Sequence, residues 1–168
     1  MKKLIWGVAL AGAAFGLMIA GAFLLPEHLP LIRDQLAKKY LYQRTIYGED
    51  FEFLVIQLED AIAARNYTIV NKAHVGNAVE KRGYTLGKML VLEFCNLEMA
   101  ARILQIDRRI LSMMPCRIAI YEEEEAVKVV AMRPMMMSNI FKDDPEIRNL
   151  AETVEADMIG MIDSLAEN

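Results

Sequence analysis

The chain has 168 residues, which suffices for one domain and is too short for two. Its two cysteines are too few for a fold built on disulfides. Apart from the two lysines that follow Met1, 17 basic residues stand against 23 acidic ones, so no basic surface for nucleic acid is expected.

The N-terminus carries the strongest hydropathy signal. Residues 4–25 form a run of 22 residues without charge. As a helix this run would measure roughly 33 Å, enough to cross a bilayer core of about 30 Å. A cleaved signal peptide is the alternative, because residues 20–22 resemble a cleavage site, but the apolar run continues beyond them. We predict a transmembrane anchor over 1–25 and a juxtamembrane linker over 26–40.

The charges on either side of the anchor indicate its orientation. The short N-terminal flank is purely basic, which is typical of a signal anchor, whereas Arg33, Lys38 and Lys39 favour the opposite orientation. We expect a single-pass protein of the cytoplasmic membrane. Its domain, residues 41–168, is expected on the periplasmic or extracellular side.

Strand and helix patterns alternate through the rest of the chain. Alternating apolar residues predict strands at 41–47, 67–75, 89–95, 116–121 and 127–133. Helical spacing predicts helices at 51–66 and 97–106, with a helical turn at 77–82 and a connector at 107–114. The side chain of Asn96 is expected to cap the second of these helices.

The C-terminal helix is the clearest element. Asp144 is its expected N-cap, and Pro145 suits the first helical position. An apolar stripe follows, made of Ile147, Leu150, Ala151, Val154, Met158, Met161, Ile162 and Leu165. Such a stripe needs an apolar partner, so we predict an α+β fold, a two-layer sandwich of helices on a mostly antiparallel sheet.

Two short motifs carry a resemblance to a known family. Residues 92–96, Leu-Glu-Phe-Cys-Asn, and residues 114–117, Met-Pro-Cys-Arg, resemble the domain of unknown function 302 family. The similarity spans roughly residues 41–165, although Leu97 stands where the family usually has proline. The resemblance implies a compact α+β domain that pairs into homodimers and has no established reaction.

Two thiols are the candidate catalytic residues. Cys95 precedes a helix N-terminus, where the dipole would lower the thiol pKa, although free cysteine is more often a small buried hydrophobe. Cys116 shares its strand face with Ile118 and Ile120. Strand alternation places the two thiols on opposite faces of the sheet, so no disulfide between them is expected.

Other side chains are candidates for ligand binding. Together with the two cysteines, these candidates are His74, Asn96 and Arg117. The many methionines, among them Met113, Met114, Met132 and residues 135–137, suggest Cu(I), but methionine also fills irregular cores. No metal site and no cofactor are therefore expected.

The sequence supports two function classes. It contains no nucleophile–base pair, phosphate loop or paired catalytic carboxylates, so a non-catalytic binding or interaction module is favoured. This module is expected to be a membrane-anchored homodimer that takes a small ligand or a protein partner. The alternative is a thiol-dependent redox or sulfur-handling enzyme or carrier that uses Cys95 and Cys116.

Overall fold

The computed structural model of the chain describes residues 33–141 and 144–166. The chain divides into two units, residues 1–39 and 40–168. In the first unit the described residues, 33–39, are helical. The predicted anchor at 1–25 lies outside the described residues. Within 33–141 and 144–166, no helix combines the length and the apolar character that crossing a bilayer requires.

The second unit is built on one antiparallel sheet. Its strands are β1 (Leu41–Tyr47), β2 (Thr68–Ala73), β3 (Met89–Cys95), β4 (Cys116–Glu123) and β5 (Ala126–Met132). They lie in the order β1-β5-β4-β3-β2, and each neighbouring pair is antiparallel. The predicted α+β class and the antiparallel sheet are confirmed.

Among the described residues of this unit, five α-helices connect and cover the strands. They are α1 (Phe51–Ala64), α2 (Val75–Glu80), α3 (Leu97–Ile106), α4 (Met136–Ile140) and α5 (Pro145–Asp163). A 3₁₀ helix, Arg108–Met113, links α3 to β4, and a second one, Ser164–Ala166, follows α5. The first of these replaces the predicted connector, because the Asp107 carboxylate accepts a hydrogen bond from Arg109 N at 2.8 Å and begins a helical turn.

The main core lies between one face of the sheet and the helices α1 and α5. Every second residue of β3 is buried there, namely Leu90, Leu92 and Phe94. The helices contribute a matching apolar set, made of Leu54, Leu58, Ile62, Met158, Met161 and Ile162. Burial of this alternating set fixes the register of the sheet, since a slip of one residue would turn β3 inside out.

A second, smaller apolar cluster lies beside the main core. Its buried residues are Ile103, Ile110, Ile147 and Leu150, which come from α3, the first 3₁₀ helix and α5. Met99, Met114 and Met137 pack against it. This cluster holds the helical segments around the ends of β3 and β4, where the candidate thiols lie.

Candidate functional site

A small cavity lies where the end of β3 and the start of β4 meet the helical layer. Its volume is about 60 Å³, and residues of α3, α4, α5 and the first 3₁₀ helix complete its wall. Six of the lining residues carry sulfur: Cys95, Met99, Met113, Met114, Cys116 and Met137. We call this space the sulfur-lined cavity.

Cys95 and Asn96 reach the cavity from the junction between β3 and α3. Cys95 is the last residue of β3, and Asn96 is the N-cap of α3. The Asn96 side-chain oxygen accepts a hydrogen bond from Met99 N at 3.1 Å, which confirms the predicted cap. The Cys95 thiol donates to the backbone oxygen of Asn96 at 3.8 Å. The sulfur therefore faces a carbonyl rather than a helix N–H group.

The two cysteines line the same cavity, which corrects the prediction that they face opposite sides of the sheet. Cys116 pairs with Phe94 across the β3–β4 ladder, so it belongs to the inner face. Cys95 is one residue further along, but there the chain leaves the sheet for α3, and strand alternation no longer sets the direction of its side chain. Both cysteines are free.

Burial controls the acidity of both thiols. It raises the pKa of the Cys95 thiol above its ordinary value. The pKa of the Cys116 thiol is raised to about 11, first by burial and then by the nearby charge of Cys95, while Arg117 offsets part of the rise. The prediction of a lowered pKa for Cys95 is therefore wrong, because burial disfavours the charged thiolate. Near neutral pH both groups are thiols.

Tyr67 closes the cavity on the side of α5. Its hydroxyl donates to Asp157 Oδ2 at 2.9 Å and lies 3.9 Å from Met99 Sδ. Its ring packs edge-on against Phe94, with the ring centroids 5.6 Å apart. Burial and the bond to Asp157 raise the pKa of Tyr67, so the hydroxyl stays neutral.

The outer face of the sheet, which points away from α1 and α5, forms a second candidate surface. A cross-strand row on this face consists of Gln43, Val130, Ala119 and Val91, on β1, β5, β4 and β3. All four residues are at least partly exposed. The row is apolar over three strands, and Ala119 is its smallest side chain, so the face is depressed at its centre.

A groove of about 500 Å³ occupies this depression. Its apolar wall includes Leu41, Val91, Ala119, Val130, Met132 and Met137, and the side chains of Arg117 and Arg133 also line it. We call it the outer-face groove. Its volume falls within the range of about 300–1,000 Å³ that is usual for small-molecule sites, whereas the sulfur-lined cavity is far smaller.

Charged pairs flank the apolar row on the outer face. Arg117 is exposed, and its Nε lies 3.0 Å from Glu93 Oε1 on the neighbouring strand. The hydrogen bonds from Arg117 and Asn71 lower the pKa of Glu93. On the other side of the row, Lys128 forms an ion pair with Glu123. Both signs of charge therefore flank the apolar row, whereas the charged residues that line the groove itself are Arg117 and Arg133.

His74 does not join the two thiols. It is exposed and occupies the N-cap position of α2, directly after β2. Cys95 pairs with Thr68 at the opposite end of β2. Six residues of extended strand separate the two ends by roughly 20 Å. A site that combines His74 with Cys95 is therefore excluded by distance.

Glu155 is a buried polar residue that the sequence patterns did not single out. Its carboxylate accepts hydrogen bonds from Arg133 Nε and from Met135 N, both at 2.9 Å. These bonds hold the segment that leads into α4, and Met137 of that helix lines both the sulfur-lined cavity and the outer-face groove. A signal was present, because Glu155 follows Ala151 by four residues and so lies on the apolar stripe of α5.

Among the residues that the structure describes, no three or more His, Cys, Asp and Glu side chains are grouped so that they could hold a metal ion. Sites of the usual zinc and calcium types draw their ligands from these residues.

Comparison with known proteins places these features in a family. The model of the family described as "Domain of unknown function DUF302" matches residues 42–165. The crystal structure of an uncharacterized conserved protein DUF302 from Bacillus stearothermophilus is similar, with a TM-score of 0.69 and 20% sequence identity. That match covers 76% of this chain and 98% of the other, and at this identity it shows the fold alone. No curated protein matches the chain. Because the family model covers most of its length, the chain belongs to the DUF302 family.

Proposed function

We propose that the protein is a membrane-anchored binding module that works as a homodimer, with the outer face of its sheet as the docking surface for a second copy. The observation that carries this proposal is the apolar row Val130, Ala119 and Val91, which crosses three strands of an exposed sheet face. The solvated face of an antiparallel sheet usually carries polar side chains. A contiguous apolar stretch there is typical of an interaction surface.

The charges on this face favour a second copy of the chain as the occupant. In a two-fold symmetric dimer the same patch is used twice, so a residue on one side of the axis meets a residue from the other side. Arg117 and Glu93 lie on one side of the Ala119 row, and Lys128 and Glu123 lie on the other. Each side of the row therefore carries one basic and one acidic residue. In the symmetric dimer, basic residues of one copy can meet acidic residues of the other. In the dimer, the outer-face groove becomes a space between the subunits that can hold a small ligand.

The docking surface can be tested by placing a long charged side chain at its centre. Ala119→Arg should convert the dimer into a monomer, because the guanidinium would be desolvated against the apolar row of the partner. Ala63→Arg is the matched control, since Ala63 is exposed on α1 and lies on the opposite side of the molecule's sheet. The mass of the purified full chain in detergent, measured by light scattering, distinguishes the two states.

The dimer proposal fails if the wild-type chain is a monomer at every concentration, or if Ala119→Arg stays dimeric. Circular dichroism of both variants shows whether the fold is intact. A monomeric, folded Ala119→Arg beside a dimeric Ala63→Arg is the supporting result.

The membrane anchor is the second part of the proposal and rests on the uncharged run at residues 4–25. A helix of this length and composition partitions into a bilayer core. The full chain should therefore stay with membranes during extraction with alkaline carbonate, and a protease added outside intact cells or spheroplasts should digest residues 41–168. Release of the chain by carbonate would contradict the membrane anchor. Digestion that occurs only after the cells are lysed would contradict the proposed orientation.

Thiol chemistry is the second candidate function, and one observation favours it: Cys95 and Cys116 line a single cavity. Against it, the raised pKa of each thiol leaves little thiolate at neutral pH, and the thiolate is the nucleophile in such reactions. For this reason we prefer the binding module.

A further inference from the structure

Sulfur is concentrated in the sulfur-lined cavity, and its chemistry differs from that of the docking surface. We propose that this cavity is a binding site for one Cu(I) ion, held by the thiolates of Cys95 and Cys116 and by the thioether of Met99. Met113, Met114 and Met137 complete the wall with three more thioethers. The copper site does not require the proposed dimer, although Met113, Cys116 and Met137 line the outer-face groove as well.

The size of the cavity fits an ion. A space of about 60 Å³ has room for a few water molecules, since one water needs roughly 10–15 Å³ on the same measure. Organic ligands and cofactors occupy sites of about 300–1,000 Å³. The cavity therefore suits a single ion with its protein ligands.

The composition of the wall selects copper in its reduced state. Soft thiolate and thioether ligands favour Cu(I), whereas Zn²⁺ takes thiolate, imidazole and carboxylate ligands. The cavity wall contains no histidine, aspartate or glutamate, which leaves zinc without a complete ligand set. Iron–sulfur clusters need four cysteines as a rule, and the chain has two.

The backbone holds the three proposed ligands close together. Cys116 pairs with Phe94, the residue that precedes Cys95, across the β3–β4 ladder. Met99 lies in the first turn of α3, and its backbone N–H is bound by the Asn96 cap next to Cys95. Met99 Sδ also lies 3.9 Å from the hydroxyl of Tyr67, another residue of the cavity wall. The backbone therefore brings all three residues to the wall of one cavity.

Binding requires ligand exchange without electron transfer. Each cysteine loses its proton to solvent, and a lone pair of each thiolate and of the thioether forms a bond to copper. Copper enters and remains as Cu(I), so no oxidant or reductant takes part. Arg117, whose charge favours the Cys116 thiolate, offsets part of the negative charge that this step leaves in the cavity.

Competition for Cu(I) tests the proposal. The reduced full chain, purified in detergent under anaerobic conditions, should remove one Cu(I) per chain from a coloured chelator of micromolar affinity. X-ray absorption of the loaded protein should show a copper environment of sulfur only. Failure of the wild-type chain to compete, or a nitrogen or oxygen shell around the metal, would overturn the proposal.

Variants identify the ligands. Cys95→Ser and Cys116→Ser should each weaken Cu(I) binding by at least about a hundredfold, and Met99→Leu, which nearly conserves volume, by about tenfold. Met89→Leu is the matched control, because Met89 is a half-buried methionine that lines neither the sulfur-lined cavity nor the outer-face groove. The affinity of this variant for Cu(I) should equal that of the wild-type chain. If circular dichroism shows that the serine variants are unfolded, Met99→Leu remains as the test. Wild-type affinity for Cu(I) in that variant would contradict Met99 as the thioether ligand.

Discussion

At the scale of single residues, the environment of Cys95 separates local from tertiary effects. Its place beside the N-terminus of α3 and the capping role of Asn96 follow from the sequence, because both depend on neighbours in the chain. Its raised pKa and its position beside Cys116 could not be predicted from the sequence. Both depend on helices that are distant in the chain and pack over the end of β3. Strand alternation predicted the correct face for Cys116 in β4, but not the direction of the Cys95 side chain at the last residue of β3.

The reactivity of Cys95 tests this description of its environment. Alkylation follows the thiolate fraction, so a raised pKa shifts the pH profile of the labelling rate to higher pH. The midpoint for Cys95 should lie above the ordinary thiol value of about 8.5, and Cys116 should titrate higher still. Peptide-level mass spectrometry of the iodoacetamide-labelled chain measures both. A Cys95 midpoint below 8 would restore the thiol-enzyme hypothesis.

At the scale of elements, periodicity in the sequence predicted the long helices and the strands but not the short helix α4. The predicted strands at 41–47 and 89–95 agree with β1 and β3, and Asp144 caps α5 through hydrogen bonds to Glu146 N and Ile147 N. The helix α4 was not predicted, because five residues are too few to show a helical period. Yet α4 contributes to both candidate sites, and a carboxylate on α5 holds the segment before it.

Glu155→Gln tests how that segment is held. The amide keeps the shape but removes the charge that binds Arg133, so we expect a loss of about 1.5–3 kcal/mol in the free energy of unfolding. Glu152→Gln on the exposed side of α5 should change it by less than about 0.5 kcal/mol. Urea unfolding monitored by circular dichroism gives both values. Equal stability of the two variants would show that the contact with Glu155 contributes little.

At the scale of the whole molecule, the sequence predicted the fold class but not the arrangement of its strands. Hydropathy shows which face of each strand is apolar, but it does not order the strands within the sheet. The order β1-β5-β4-β3-β2 brings Val130, Ala119 and Val91 into one row. In the sequence these three are ordinary strand residues, so the docking surface and the outer-face groove are visible only in three dimensions.

The central claim is that two copies of the chain meet at this row, and the concentration dependence of labelling at its centre tests it most directly. In a full chain that carries Ala119→Cys, the new thiol should be alkylated quickly at concentrations where the protein is monomeric and be protected where it is dimeric. Ala63→Cys, on the exposed surface of α1, should react at the same rate at both concentrations. Protection at position 119 alone is the predicted result, and equal labelling of the two positions at every concentration would contradict the account.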